Sequence, residues 1–471
     1  GGPLGRAGGP RVRALLINVG HGGDASDAHP RHHVAPIDLG ICASILEQAG
    51  YRVDLWDTFV TPEAHPDEIA ARVQLKRPDL LLLRPLHGHE ESTRKILDAC
   101  DTGCERYILG PSTPQVADTL LDAGCLEGAL IGEPELTLQA LLRARKGKKP
   151  LEGIAGLKTK TGNGFKPRGF NLDLDALPLP AHHLLINQGY QFRYPLDVKT
   201  KLRIGYVLSS RGCALGCLFC APVERETVGT KYRWRSAGNV VDEIEQLRNL
   251  GANAIYFIDD FFGFSNRRIR ELCEEMIARN IILPWAAQIR AQGIDLELLQ
   301  LMRRAGCSTL CFGAESGSDR VLKVLRKGVR TDQIREQAAL IREAGIQSVG
   351  YFIVGVPGET DAERQATYTL IDEIQPDVVQ IHIFNVFPDA PAMEVFPDRY
   401  VVGATKFTGP EGHDAALEAL QVERRSFYRS YYLSRRYLQR ALPRRWRAML
   451  ANLDEEVDFV KRATRFFLGR A

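Results

Sequence analysis

Short apolar runs alternate with helical apolar periods between residues 12 and 146. The helical periods stop at glycines such as Gly50 and Gly124, and a glycine after the last apolar position is typical of a helix end. Repeated strand-then-helix units predict an α/β domain with a parallel, doubly wound sheet and right-handed crossovers. The predicted strands are Val12–Val19, Arg52–Trp56, Leu80–Leu83, Arg106–Leu109 and Ala129–Ile131.

A second series of strand and helix patterns follows a loosely patterned connector. Pro178 and Pro180 mark that connector, because proline interrupts both helices and strands. Six strand-helix units are fewer than the eight of a closed barrel, so the pattern predicts an open or partial barrel. The predicted strands are Leu202–Ser209, Ala254–Ile258, Trp285–Ile289, Thr309–Phe312, Val349–Val354 and Val378–Phe384. The predicted domains are 11–150, a linker over 151–195, the partial barrel over 196–400 and a basic helical region over 401–471.

Composition and charge narrow the class of protein. The chain has 471 residues, 44% of them hydrophobic, and a formal net charge of +3. The hydrophobic fraction excludes global disorder, and the small net charge gives no whole-chain reason to expect a nucleic acid or a membrane surface. No apolar run approaches the roughly 18–20 residues of a membrane span, and the chain starts without the apolar stretch of a secretory signal. These features predict a cytoplasmic protein without a transmembrane segment.

The carboxyl ends of the predicted strands are the expected ligand sites of the first sheet. Three of these ends are Arg84–His89, Gly110–Thr113 and Gly132–Glu135. Gly110 would let backbone approach a ligand, while Ser112 and Thr113 would cap a helix whose N-terminus attracts anions. The same residues also suit an ordinary turn before a helix. Since neither GxGxxG nor a phosphate-binding GxxxxGK motif is present, a plain nucleotide site is disfavoured.

Three cysteines at the first strand end of the second series carry the strongest chemical signal. Cys213, Cys217 and Cys220 have C-x3-C-x2-C spacing. Iron–sulfur clusters are normally held by four cysteines, so three close thiolates would leave one iron open to a chelating substrate. A zinc site completed from elsewhere, or three unrelated buried thiols, are the alternatives. Gly212 and Phe219, within the same loop, favour the cluster.

These motifs resemble the radical S-adenosylmethionine (SAM) enzymes, and among them the subgroup with an N-terminal cobalamin-binding domain. The similarity covers about residues 12–390. It implies a Rossmann-like cobalamin-binding domain, a partial (β/α)6 radical SAM barrel and a C-terminal helical segment. The motifs are RGCALGCLFCAPV, YRWRSAGNVVDEI, FIDDFFGFSN, GAESGSDRVLKVLRKG and FIVGVPGET in the second part, and LGPSTP, ALIGEPELTLQALL and LDALPLPAHHLL before it.

The resemblance implies a [4Fe–4S] cluster on the three cysteines, with SAM bound to the fourth iron. Of the two carboxylates after the second barrel strand, Asp260 rather than Asp259 is favoured as the acceptor for the SAM ammonium group. Glu315 would bind the ribose or the amino group of SAM. Gln288 and Arg290 end the third strand, where Arg290 would pair with the SAM carboxylate. Each of these residues could instead be an ordinary surface or structural residue.

An apolar strand end would complete the SAM site. The resemblance assigns Ile353, Gly355 and Pro357 to the adenine, as a flat wall and close backbone. Phe219 lies between the last two cluster cysteines. A structural Gly-Pro turn is the alternative for this stretch.

The first domain would then bind cobalamin. Gly110, Ser112 and Thr113, together with Gly132 and Glu133, would cradle its nucleotide tail. Arg84, or a histidine of the same loop (His87 or His89), would approach the lower face of cobalt. The DxHxxG motif of corrinoid proteins is incomplete, because His32 replaces its glycine, so His29 is not expected to bind cobalt. The alternative is that the domain keeps this fold but binds a ligand other than cobalamin.

The resemblance implies a cobalamin-dependent radical SAM methyltransferase. It would move a methyl group from SAM, through methylcobalamin, to an unactivated carbon of a biosynthetic small molecule, using a 5′-deoxyadenosyl radical. An external one-electron donor such as flavodoxin or ferredoxin is expected. A resemblance to the anaerobic magnesium-protoporphyrin cyclase leaves a non-methylating cyclisation or ring rearrangement open. A binding module without catalysis is the third possibility, which the intact cysteine motif argues against.

The C-terminal stretch is basic and aromatic. Residues 421–471 contain 13 Lys+Arg and 5 Asp+Glu, with aromatic residues recurring as on amphipathic helices. The pattern predicts a helical cap over the barrel mouth with a solvated basic face. An anionic substrate, a membrane-surface substrate or RNA are the alternatives, although nucleic acid is not favoured. Cys307 and Cys311 lack a third ligand and are predicted to be core thiols.

Overall fold

The computed structural model describes two compact units of the chain. The first comprises the described residues up to 190, and the second those from 192 onward. The four predicted domain limits are a finer division and stay a prediction. The described residues are 12–20, 34–60, 65–85, 90–100, 103–110, 113–160, 165–190, 192, 196, 198, 200–220, 231–386, 390–396, 401–402, 406–407 and 413–441.

The first unit is a six-stranded sheet in the order β2-β1-β3-β4-β5-β6. Strands β1 to β5 are parallel and β6 is antiparallel to β5. Its strands are β1 (Arg13–Asn18), β2 (Arg52–Asp57), β3 (Leu80–Arg84), β4 (Glu105–Ile108), β5 (Gly128–Leu130) and β6 (Leu157–Thr159). Its helices are α1 (Ile37–Gln48), α2 (Pro66–Lys76), α3 (Glu90–Asp98), α4 (Thr113–Asp122), α5 (Pro134–Lys146) and α6 (His182–Leu185).

The predicted doubly wound α/β domain is confirmed, with one added edge strand. The run Leu80–Leu83 is wholly buried in β3, as expected for a parallel strand covered on both faces. The antiparallel β6 falls in the segment that the sequence reads as a connector. With three residues it is too short to show a period of two.

The second unit contains a six-stranded parallel sheet in the order β14-β13-β12-β11-β10-β7. Each strand pairs with its neighbour in this series, which is the arrangement of a partial barrel. The strands are β7 (Ile204–Val207), β10 (Ala254–Phe257), β11 (Trp285–Arg290), β12 (Cys307–Glu315), β13 (Gln347–Val354) and β14 (Val378–Ile383), with the short pairs β8 (Ser210–Arg211) and β9 (Arg233–Trp234), and β15 (Val401–Val402) and β16 (Lys406–Phe407). The helices are α7 (Ala237–Asn249), α8 (Asn266–Ala278), α9 (Leu296–Arg304), α10 (Asp319–Val324), α11 (Thr331–Glu343), α12 (Asp361–Ile374), α13 (Pro391–Val395) and α14 (His413–Tyr432).

The described part of the C-terminal region packs along the barrel edge, and Leu420 of α14 also contacts Gly355 at the carboxyl end of β13. The predicted cap over the mouth stays a prediction, since residues 442–471 lie outside the described residues. The Tyr428 and Tyr432 hydroxyls of α14 accept hydrogen bonds from the backbone N–H groups of Ile381 (2.7 Å) and Val379 (2.8 Å). These donors belong to β14, which is an edge strand of the sheet in the part of the chain that the structure describes. An uncovered edge is open to pairing with other chains, so side chains of α14 take the place of a strand there. The hydrophobic and charge pattern predicts a helix but cannot show where it docks.

Two smaller expectations concern buried thiols and membrane spans. Cys307 and Cys311 are fully buried in β12, as expected for core thiols. Burial raises the pKa of Cys311 to about 12, which keeps this thiol protonated. No helix among the residues that the structure describes is long and apolar enough to cross a membrane.

Candidate active site

The cysteine loop follows the hairpin strand β8 at the carboxyl end of β7. Cys217 is 8% exposed, while Cys213 and Cys220 are half-buried. Gly212, with φ +87°, turns the chain into the loop through a conformation that favours glycine. Leu218 donates its backbone N–H to the carbonyl of Leu325 at 2.9 Å, which ties the loop to the segment after α10.

The three thiols do not form a single-ion site. Among the described residues, no three His, Cys, Asp or Glu side chains are grouped as ligands of one metal ion. A zinc site needs such convergence, whereas the cysteines of a cubane each bind a different iron.

The two aspartates after β10 take different environments. Asp259 is 1% exposed and accepts hydrogen bonds from Ser209 and Ser210, which precede the cysteine loop. Asp260 is exposed, and its Oδ2 accepts the backbone N–H of Gly212 at 3.2 Å. Both carboxylates therefore bond the segment that leads into the cysteine loop, Asp259 from a buried position and Asp260 from an exposed one. Asp260 keeps its place beside the loop, and its contact with SAM stays a prediction.

Glu315 ends β12 and forms a buried ion pair that the sequence analysis missed. Its carboxylate lies 2.6 Å from Lys327 Nζ, and the two side chains are 6% and 11% exposed. Glu315 has φ +61°, a strained value for a residue with a side chain. Lys327 Nζ also lies 5.7 Å from the centre of the Phe219 ring, so the pair adjoins the cysteine loop. The only sequence signal was a lysine before Gly328 in the motif already quoted.

Arg290 and Gln288 of β11 point to the same side of the sheet. Arg290 donates to the backbone carbonyls of Lys327 and of Gly328, the latter at 2.9 Å, while its buried Nε has no hydrogen-bond partner. Gln288 Nε2 donates to Tyr256 OH at 2.8 Å. Arg290 therefore fixes the segment that carries Lys327 and retains one unused donor.

The predicted apolar wall meets the cysteine loop. Ile353, 7% exposed, belongs to the same hydrophobic cluster as Leu218, and Phe219 packs against that cluster. Gly355 has φ +75°, and its N–H donates to Glu359 Oε2 at 2.6 Å. Burial raises the pKa of Glu359, whose Oε1 is buried without a hydrogen-bond partner. Pro357 is half-buried in the same turn.

In the first unit, Gly110 and Arg84 are in direct contact. Gly110 has φ +100°, and a Cβ there would lie 2.7 Å from Arg84 Cγ. Arg84 Nε is 2.8 Å from Asp38 Oδ2, and its Nη1 donates to Asn18 Oδ1 at 3.1 Å. The guanidinium is therefore already oriented at the strand ends. His87, His89, His29, His32 and Ser112 lie outside the described residues.

The remaining predicted residues of the first unit differ in their surroundings. Thr113 is fully buried, yet its Oγ1 has no hydrogen-bond partner. Gly132 has φ +83°, and no atom lies within 4 Å of where its Cβ would be. Glu133 caps α5, and its Oε2 accepts the N–H of Asn171 at 2.7 Å. The two predicted loops thus offer an orphaned hydroxyl and an uncrowded backbone turn, which are features of a ligand cradle.

The second unit matches a known family. The model described as the radical SAM superfamily matches residues 207–371, from the end of β7 into α12. This segment is a radical SAM domain. A [4Fe–4S] cluster and SAM are accordingly the cofactors of this domain.

Curated relatives cover more of the chain. It is 28% identical over 280 residues to an uncharacterized methyltransferase of Pyrococcus horikoshii, covering 59% of each. It is 26% identical to the cytidylyl-2-hydroxyethylphosphonate methyltransferase of Streptomyces wedmorensis, covering 72% of this chain and 73% of the relative. It is 25% identical to the anaerobic magnesium-protoporphyrin IX monomethyl ester cyclase of Cereibacter sphaeroides, covering 79% and 64%. The chain thus spans less than two thirds of the length of the first and third relatives.

Solved structures share the fold of both units. The radical SAM methyltransferase TsrM of Kitasatospora setae, solved with cobalamin and a [4Fe–4S] cluster, superposes with a TM-score of 0.64 at 21% identity, covering 84% of this chain and 77% of that one. OxsB, a cobalamin-dependent radical SAM enzyme solved with aqua-cobalamin, gives 0.65 at 17% identity, covering 82% and 61%. The predicted fold class is confirmed.

Proposed function

We propose that the protein is a cobalamin-dependent radical SAM methyltransferase that acts on an unactivated carbon of a small biosynthetic molecule. The observation that carries the proposal is the loop with Cys213, Cys217 and Cys220 at the first strand end of a radical SAM domain. The doubly wound unit before it supports the cobalamin part, together with the relatives named methyltransferase.

The residues of the second unit fit a cluster and SAM. The three cysteines would hold the cluster, and their loop is fixed by the Leu218–Leu325 backbone hydrogen bond. Lys327 brings a cation next to Phe219 in that loop, where a carboxylate ligand of the open iron would need one. The buried, unpaired Nε of Arg290 is a further donor on the same side.

The residues of the first unit fit the nucleotide tail of cobalamin. The orphaned Thr113 Oγ1 would hydrogen-bond a polar atom of the tail, and the open space at Gly132 would admit it. Gly110 leaves room for the Arg84 side chain, which Asp38 and Asn18 orient. We propose that Arg84, at the end of β3, or His87 or His89 of the loop that follows it, faces the lower side of cobalt.

The chain's own groups have binding and orienting roles in this reaction. When bound, the cofactors supply one-electron cleavage of SAM and a carrier for its methyl group. Glu315 and Lys327 hold each other in place beside the loop, so they present a fixed carboxylate and a fixed cation to SAM. Ile353 and Phe219 contribute apolar surface that keeps water from the site. An external donor such as flavodoxin or ferredoxin is proposed to supply the electrons, and the substrate is proposed to carry anionic groups.

Two products of SAM distinguish this proposal from its alternatives. The protein is reconstituted anaerobically with iron, sulfide and cobalamin and incubated with a reductant, methyl-labelled SAM and extracts of candidate small molecules. Methylation requires both S-adenosylhomocysteine and 5′-deoxyadenosine, with label in a third product. Deoxyadenosine alone would favour the non-methylating cyclisation or rearrangement, the reading that the cyclase relative supports. A preparation that holds neither iron nor corrinoid would overturn the proposal.

A further inference from the structure

A buried carboxylate holds the segment that leads into the cysteine loop. Asp259, next to the exposed Asp260, accepts the backbone N–H of Ser209 at 2.7 Å. It also accepts the hydroxyls of Ser209 at 2.6 Å and of Ser210 at 2.5 Å. Ser209 lies four residues before Cys213, and Ser210 lies three residues before it. Three donors on one carboxylate fix both the backbone and the side chains of this short segment.

A single cation balances the charge of this carboxylate. Arg268 of α8 is 5% exposed and lies 3.5 Å from Asp259 Oδ2. The same guanidinium donates to the hydroxyl of Ser209, to Tyr232 OH and to the carbonyl of Phe262. A buried ion is costly unless it is paired and hydrogen-bonded, and both conditions are met here.

A second arginine holds the other side of the same segment. The backbone N–H of Arg235 donates to the carbonyl of Ser209 at 3.0 Å, and its Nη1 donates to the carbonyl of Leu208 at 3.2 Å. Arg235 is itself paired with the buried Glu243 of α7. The segment is therefore bonded through its N–H groups on one side and its carbonyls on the other.

We propose that Asp259 is a positioning residue that sets the place of Cys213 through Ser209 and Ser210, and that its negative charge influences the cluster. This inference rests on the proposed function. Each residue of extended chain spans at most about 3.6 Å, so Ser210 and Cys213 Cα atoms lie within roughly 11 Å. Asp259 is bonded directly to Ser210, so its negative charge lies beside the segment that leads into the loop and disfavours the addition of an electron to the cluster. Neutralising Asp259 should therefore raise the reduction potential.

The test compares Asp259→Asn with a matched control in the reconstituted full-length protein. Asparagine keeps the shape and the acceptor for Ser209 N–H but removes the charge. Asp377→Asn is the control, because Asp377 Oδ2 accepts the backbone N–H of Ser348 at 2.9 Å at the amino end of β14. Redox titration followed by electron paramagnetic resonance gives the potential, and an iron chelator gives the rate of cluster loss.

The inference predicts a higher potential for Asp259→Asn and faster iron loss, by about fivefold if one hydrogen bond of ordinary strength is lost. Asp377→Asn should match the wild type in both measurements. Should Asp259→Asn not fold, Ser210→Ala removes one of the three donors and keeps the charge, so it should speed iron loss without moving the potential.

Two results would overturn the inference. One is an Asp259→Asn protein, or failing that a Ser210→Ala protein, that retains iron as the wild type does and has an unchanged potential. The other is a control that changes as much as Asp259→Asn. A wild-type protein that takes up no iron would instead overturn the proposed function, so the two failures are distinguishable.

Discussion

The two parallel sheets use the same strand-helix repeat but place their polar residues differently. In the first sheet the strand order reverses at β1, and Asn18 is the register partner of both Asp57 of β2 and Arg84 of β3. In the second sheet the strands follow one another in order, and the polar ends are contributed in turn by β10, β11 and β12. The first sheet therefore has a crevice where the strand order reverses, at the carboxyl end of β1. The second sheet has instead the open carboxyl end of a partial barrel, its mouth.

This difference explains why the two sites are unequally visible in the sequence. In the proposed function the site at the carboxyl ends of the barrel strands uses a particular side chain from each successive strand, such as Arg290 and Glu315, so its motifs are specific. The crevice depends on backbone conformation at Gly110 and Gly132, which many sequences can supply. Substitutions should accordingly impair the second site by removing a functional side-chain group. They should impair the first site by filling space that a ligand would occupy.

Replacing a cluster cysteine should give the largest difference in effect between the two sites. Cys217→Ala should abolish the cluster and reduce SAM cleavage to background, because the loop has no fourth cysteine that could replace the lost ligand. Cobalamin binding by the first unit should remain. Iron analysis, 5′-deoxyadenosine formation and the visible corrin spectrum measure these outcomes. Residual turnover at the wild-type rate would contradict the cluster assignment.

The Glu315–Lys327 pair should give the next largest effect. Lys327→Met leaves a buried carboxylate without its cation, which should lower the free energy of unfolding by about 3 kcal/mol. It should also weaken SAM binding. The double variant Glu315→Gln/Lys327→Met removes both charges and should recover most of the stability but not the SAM affinity. Denaturant unfolding and equilibrium dialysis with SAM measure the two effects, and equal stabilities of the single and double variants would argue against a coupled pair.

The sequence predicts the long buried strands well and the side-chain partnerships poorly. All six barrel strands were predicted within a few residues, because a fully buried run such as that of β10 is apolar along its length. Lys327 was missed because its role depends on a contact with Glu315, 12 residues away and on the other side of α10. The place of α14 was missed because hydrogen bonds from β14 to Tyr428 and Tyr432 leave no trace in a hydrophobic pattern.

Two alanine substitutions test whether the first site depends on space. Gly110→Ala and Gly132→Ala both force a side chain into a positive φ, at a cost of about 1–2 kcal/mol. Only the Gly110→Ala methyl would strike Arg84, so this variant should be the less stable of the two. Gly132→Ala should instead lower cobalamin affinity, since its methyl enters the open space. Thermal unfolding and corrin binding measure the difference, and identical behaviour would remove the distinction between the two turns.

The edge of the second sheet should respond more weakly. Tyr428→Phe and Tyr432→Phe each leave a backbone N–H of β14 without its acceptor, which should cost about 1 kcal/mol. Cluster content and SAM cleavage should not change, because these hydroxyls lie along the edge and not at the mouth. Leu433→Ala, at a neighbouring position that is 61% exposed, is the control and should be neutral. Denaturant unfolding checks the loss, and an unchanged stability would mean that α14 does not cover the edge in solution.

The smallest effect is expected from the carboxylate at the reversal point of the first sheet. Burial raises the pKa of Asp57, outweighing the hydrogen bonds from Tyr190, Phe59 and Asn18 that lower it. The folded chain then holds a proton that the unfolded chain has released above about pH 4, so the free energy of unfolding falls as the pH rises from that point through the raised pKa. Asp57→Asn keeps the shape of the side chain but replaces the titrating carboxyl group with an amide. The Tyr190 hydroxyl can accept a hydrogen bond from this amide instead of donating one. The stability of the wild type minus that of Asp57→Asn should therefore decrease with rising pH in this window and then level off. A difference that is constant with pH would mean that the pKa of Asp57 is ordinary in the folded chain, and one that grows would mean that its hydrogen bonds and Arg84 lower this pKa.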